Sequence, residues 1–236
     1  MQRLGFTRSS FQPDHLLLTP DTFVRAPLPG MEGATAIVHV SPAAGAGFTQ
    51  YTAEFEPGGS LGPPSGERFL YVLEGEIRLE GRLLGPDEYA YLPEGYNLPI
   101  LAQGRAKASV IEKPYRELAG SKLPSLFIGD ERKIEPKPLL DDRDLQVRAL
   151  MPGHPSFDFA VNTMTYQPGA TLPLVEMHVM EHGLLMLAGG GIYRLGERWY
   201  PVAAGDFIWM APYCPQWFGA LGKTPAKYLI YKDWNR

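Results

Sequence analysis

The run Glu176-Met177-His178-Val179-Met180-Glu181-His182 holds two of the chain's five histidines and two carboxylates. In an extended strand, side chains at even separations share a face. Glu176, His178 and His182 would then point together, while Val175, Met177 and Val179 cover the opposite side. A helix would splay 176 away from 178. Imidazole and carboxylate gathered on an inward face suit a divalent cation. The same residues could instead form a solvated face or a self-satisfied polar cluster. The apolar flank favours the inward reading, because buried polar groups need partners. Glu181 falls on the other face of a regular strand and is left out of the set.

The elements that must hold these residues read as strands. Strand-like segments punctuated by turn residues fall at 48–55, 69–73, 76–80, 88–92 and 108–113. In the second half they fall at 157–166, 176–182, 184–187, 191–195, 206–210 and 226–232. Short strands at this spacing predict an all-β barrel or sandwich. The 26 glycines and 23 prolines are scattered, as frequent turns require. An internal repeat supports two copies of one barrel. Glu56-Pro57-Gly58-Gly59-Ser60 matches Gln167-Pro168-Gly169-Ala170-Thr171, 111 positions later. Leu73-Glu74-Gly75 matches Leu187-Ala188-Gly189, and Gly85-Pro86-Asp87 matches Gly205-Asp206. The expected division is an N-terminal barrel over 1–120, a linker over 121–145 with room for a short helix, and a C-terminal barrel over 146–236. The first copy offers Arg68 where the second has His182, and Glu67 aligns with Glu181. The metal-type set is therefore expected only in the C-terminal barrel.

Composition narrows the class of function. The net charge is −4 with no basic block, which disfavours nucleic acid as a partner. A single cysteine, Cys214, excludes an intramolecular disulfide and fits a cytoplasmic protein. It reads as a buried inert thiol. No apolar run reaches the length of a membrane span, and the opening residues lack the apolar core of a secretion signal.

These residues resemble the cupin superfamily. One cupin motif appears as Gly169, six residues, Glu176-x-His178, three residues, His182, six residues, Gly189. The second runs from Gly205 across Pro212 to Gln216, eleven positions on. The usual first histidine is replaced by Glu176, the usual carboxylate by His182 and the usual last histidine by Gln216. With these departures the chain resembles the (S)-ureidoglycine aminohydrolase family. The likeness is densest in 176–183, in 205–216 and in the C-terminal Tyr228-Leu229-Ile230-Tyr231-Lys232-Asp233-Trp234, and extends to Glu67-Arg68-Phe69-Leu70-Tyr71-Val72.

The resemblance implies an all-β bicupin of two double-stranded β-helix (jelly-roll) barrels. It implies Mn²⁺ in the C-terminal barrel, held by Glu176, His178, His182 and Gln216. Glu176, Gln216, Tyr228, Lys232 and Tyr193 would meet the substrate, with Lys232 and Glu176 catalytic. The implied reaction is hydrolytic deamination of (S)-ureidoglycine to (S)-ureidoglycolate and ammonia, in purine and allantoin degradation. The implied partner is thus a small anionic ureido substrate, with neither nucleic acid nor membrane. A homo-oligomer is expected, since barrel edges favour association.

Such a set is rich in hard oxygen and nitrogen donors. It suits Mn²⁺ and would also accept Fe²⁺, Co²⁺ or Zn²⁺. Lys232 shares a strand face with Tyr228 and Ile230, where burial would lower its pKa. It could then move a proton or anchor a carboxylate; alone, it would read as a surface lysine. Tyr193 and Tyr228 would otherwise read as core aromatics. His15, His39 and His154 lack metal-like spacing, and the four tryptophans read as core or interface. Two other readings stand beside the aminohydrolase: another metal-dependent cupin enzyme, such as a non-haem oxygenase, and a small-molecule-binding bicupin without catalysis.

Overall fold

The computed structural model describes residues 5–234. The chain divides into two compact units. One comprises the N-terminal residues through Phe23, Glu135–Pro152 and Phe159 onward; the other comprises Val24–Ile134 and Gly153–Asp158. Both are curled antiparallel sheets, a bicupin fold, and among the described residues helix is limited to three-residue 3₁₀ turns. Among the described residues no helix is long and apolar enough to cross a membrane.

In the unit spanning Val24–Ile134, Glu67–Glu74 lies between Ala106–Lys113 and Glu88–Leu92, and Thr49–Leu61 follows beyond Ala106–Lys113. Alternate residues of these strands fill one core, including Tyr51, Ala53, Leu70, Val72, Ala90 and Val110. In the other unit the main sheet runs Ser10–Phe11, His15–Leu18, Phe207–Met210, His182–Ala188, Ala226–Asp233, Phe159–Tyr166, Asp142–Ala149 and Lys137–Leu139. A three-stranded sheet, Arg198–Ala203, Gly190–Leu195 and Gln216–Ala220, supplies the other half of its core. Tyr193, Leu195 and Phe218 from the small sheet pack with Leu184, Met186, Tyr228 and Ile230 from the large one.

The repeat places equivalent turns at equivalent points. Gly75 (φ +72°) follows Glu67–Glu74, and Gly189 (φ +63°) follows His182–Ala188. A Cβ would run into the Arg105 carbonyl at the first and the Pro225 carbonyl at the second. Only glycine combines this backbone with so close an approach.

The units depart from the expected division in three ways. Residues 1–120 do not form one barrel: His15–Leu18 pairs with Phe207–Met210, placing Leu17 opposite Ile208 in the core of the unit that contains the C-terminal strands. An apolar run beside an otherwise open sheet edge buries area and covers that edge together. Arg8 adds a bidentate ion pair to the fully buried Asp206. Residues 121–145 are not a free linker. Phe127–Asp130 pairs with Glu88–Leu92, and Lys137–Leu139 pairs with Asp142–Ala149, so the change of unit falls at Ile134/Glu135. The helix allowed there is only the turn Glu131–Lys133. Third, 153–158 returns to the unit of Val24–Ile134, where buried Asp158 lies 3.4 Å from Lys113.

Candidate metal centre and active site

The predicted strand over 176–182 is not regular: the strand begins at His182, and 172–181 is a loop apart from a single bridge residue. Convergence of the polar set comes from pairing to a different strand. Glu176 N–H donates to the Gln216 carbonyl (2.8 Å), and Gln216 N–H donates to the Glu176 carbonyl (2.9 Å). This bridge brings the two side chains together across 40 residues of sequence. Tyr213 N–H donates to the His178 carbonyl (2.7 Å) and pins the loop midway. His178 Nε2 then lies 3.2 Å from Glu176 Oε2, and the rings of His178 and His182 are 5.1 Å apart. Glu181, in the loop just before that strand, turns away and accepts from Trp209 Nε1 (3.0 Å).

These groups line a cavity of about 340 Å³. Glu176, His178, His182, Gln216, Tyr193, Tyr228 and Lys232 all border it, so every residue singled out from the sequence reaches one pocket. Met164, Leu172 and Ile230 make its apolar walls. Tyr193 Oη donates to Gln216 Oε1 (3.1 Å), which orients the amide. Tyr228 Oη pairs with Tyr166 Oη (2.8 Å) and donates to Met164 Sδ (3.3 Å). Burial raises both Tyr193 and Tyr228 well above the usual phenol value, so both stay protonated.

Lys232 sits opposite His182 across one strand pair and opposite Ala160 across the other. Burial lowers its pKa, and Glu176 opposes that shift. Burial, with Lys232 and His178 nearby, lowers His182 to about 3, so its ring is neutral. His182 Nδ1 is buried with no protein partner. A neutral imidazole with an orphaned nitrogen, beside a carboxylate, a second imidazole and an amide oxygen, fits a divalent cation.

The corresponding place in the other barrel is plugged. Arg68 faces Glu112 in the register that His182 and Lys232 occupy, and the two form an ion pair. Tyr51 Oη also donates to Glu112 (3.0 Å). No donor set for a metal is left at that position.

Two features were not singled out from the sequence. Lys137 and Asn162 also line the cavity. Asn162 shares a face of Phe159–Tyr166 with Met164 and Tyr166, but a single polar residue there carries no spacing signal. Asp14, His15 and Cys214 also cluster, with ligand atoms within 4.8 Å of one another. Both His15 nitrogens are engaged, Nδ1 with Asp14 and Nε2 with Tyr200 at 2.8 Å each. Burial raises the Cys214 thiol to about 12, consistent with an inert group.

A doubled jelly roll with a polar set facing the interior of one barrel is the architecture of a bicupin. The Cupin domain family model matches residues 162–231, within the unit that carries the cavity. The (S)-ureidoglycine aminohydrolase of Arabidopsis thaliana is 42% identical over 98% of this chain and 80% of its own. The chain belongs to the (S)-ureidoglycine aminohydrolase family. A crystal structure from Pseudomonas aeruginosa, described as a glyoxylate induced protein, superposes with a TM-score of 0.89 at 30% identity, covering 100% of this chain and 94% of that one. Oxalate decarboxylase of Bacillus subtilis shares the fold alone, with a TM-score of 0.70 at 12% identity over 93% of this chain and 77% of that one.

Proposed function

We propose that this chain hydrolyses (S)-ureidoglycine to (S)-ureidoglycolate and ammonia, with Glu176, His178, His182 and Gln216 holding one Mn²⁺ ion. The observation that carries the reading is the convergence of these four side chains on one cavity beside a half-buried lysine. Family membership supplies the substrate. Purine and allantoin degradation is the metabolic setting that follows from it.

A bound divalent ion would supply Lewis acidity and a template for chelation. The rest falls to the chain. The site carries one anionic ligand, Glu176, against a dication, so an anionic substrate is attracted to it. Tyr193 holds the Gln216 amide oxygen in one orientation. The apolar walls of Met164, Leu172 and Ile230 limit bulk water around the reacting carbon. In the reaction the C–N bond to the α-amine breaks, a C–O bond from water forms, and the amine leaves as ammonia. Water must lose a proton and the departing amine must gain one. Lys232, with its lowered pKa, exchanges the proton at Nζ, and Glu176, the carboxylate lining the cavity, can receive one.

The test is ¹³C NMR of ureidoglycine generated in situ, with metal-stripped protein and with or without Mn²⁺. Rapid, stereospecific formation of ureidoglycolate only with Mn²⁺ supports the reading. Decay no faster than the spontaneous rate, with Mn²⁺ shown to be bound, overturns it.

A further inference from the structure

We propose that Asn162 is the specificity determinant for the ureido end of the substrate, its carboxamide forming a reciprocal hydrogen-bonded pair with the –NH–CO–NH₂ group. The inference deepens the function proposed above and rests on it for the identity of the substrate.

Asn162 lies in Phe159–Tyr166, opposite Ile230, on the same sheet face as Met164 and the cavity. Ala160, two residues away, faces Lys232. Asn162 therefore stands one pleat repeat, about 7 Å along the strand, from the Lys232–His182 row. That spacing separates the reacting end of a small amino acid derivative from a substituent on its α-carbon.

The hydrogen-bonding inventory of the cavity singles out this side chain. Gln216 Oε1 is taken by Tyr193, and the Tyr228 hydroxyl is shared with Tyr166 and Met164. Lys137 and Lys232 can donate but cannot accept. With Glu176, His178, His182 and Gln216 assigned to the metal, Asn162 is the lining carboxamide left both to donate and to accept. A ureido group needs that combination: its carbonyl accepts from Nδ2, and its terminal amine donates to Oδ1.

The other barrel shows that the fold does not need an amide here. Tyr51 occupies the equivalent register position, opposite Val110, and donates to Glu112. Half-buried on the cavity wall, the Asn162 amide can be hydrated in the free protein, and a ligand offering both an acceptor and a donor can replace that water.

The experiment compares two stable ligands on the Mn²⁺-loaded protein by calorimetry: N-carbamoylglycine and N-acetylglycine. Both carry a carboxylate and an acyl carbonyl, but only the first has the terminal –NH₂. The wild-type protein is expected to prefer N-carbamoylglycine by about tenfold, the worth of one neutral hydrogen bond. In Asn162→Leu that ratio falls to near one, while N-acetylglycine binding changes by no more than the loss of its own carbonyl contact. In Lys232→Met both ligands weaken and the ratio is kept. Asn162→Ser provides the same comparison should the leucine variant fail to fold. A ratio that is near one in the wild type, or unchanged in both Asn162 variants, overturns the proposal. Binding is read without turnover, so a wild-type protein that fails to hydrolyse ureidoglycine refutes the proposed reaction separately from the role of Asn162.

Discussion

At the scale of single residues, the proposed function gives two side chains separable tasks. His182→Ala removes the buried nitrogen that lacks a protein partner. Its Mn²⁺ content after desalting should fall from about one ion per chain to background, measured by atomic absorption. Undiminished metal in that variant would show that His182 is not a ligand. Lys232→Met should keep the metal and lose turnover by about 10²–10⁴-fold, the usual contribution of a positioned acid or base. Full turnover in Lys232→Met would remove Lys232 from the proton path. Which residues would share a cavity was largely legible, because 176, 178, 182 and 216 stand at cupin-like spacing from the turn glycines 169, 189 and 205. Asn162 escaped, because one polar residue in a strand has no spacing partner to mark it.

Elements decide how those residues meet. The alternation of 176–182 suggested a strand, and the chain instead crosses as a loop bridged by Glu176 to Gln216. Alternation alone cannot tell a strand from a loop held by two backbone hydrogen bonds to a distant partner. The strand His15–Leu18 was hidden for a similar reason: its pairing partner lies almost two hundred residues later. Leu17 is fully buried in the unit containing the cavity. Leu17→Ala should therefore cost about 2–5 kcal/mol, as buried leucine truncations do. Urea unfolding followed by the fluorescence of Trp209, opposite Leu16 in that sheet, reports it. A change in midpoint within error of wild type would mean that the N-terminal strand adds nothing to that barrel.

Across the whole molecule, stability depends on groups outside the cavity. His39 is buried, its Nε2 lies 2.8 Å from Thr52 Oγ1, and desolvation lowers it to about 3 from an ordinary 6.5. Between those values the unfolded chain binds a proton that the native state refuses. The contribution is intact above about pH 6.5 and is lost as pH falls toward 3, by up to about 1.4 kcal/mol per pH unit. His39→Leu should flatten the fall in unfolding free energy over that window, as measured by urea titration at a series of pH values; parallel curves for variant and wild type would contradict it. Sequence alone determined the all-β class, the doubling of the barrel and the barrel in which the metal-type residues lie, because turn residues, strand alternation and motif spacing are local and repeat. Only the tertiary structure decided which strands close each barrel, that Arg68 and Glu112 plug one interior, and that Asn162 borders the cavity of the other. Those outcomes depend on register between segments far apart in the chain and on which polar atoms find partners once buried, and neither is written in any local stretch of residues.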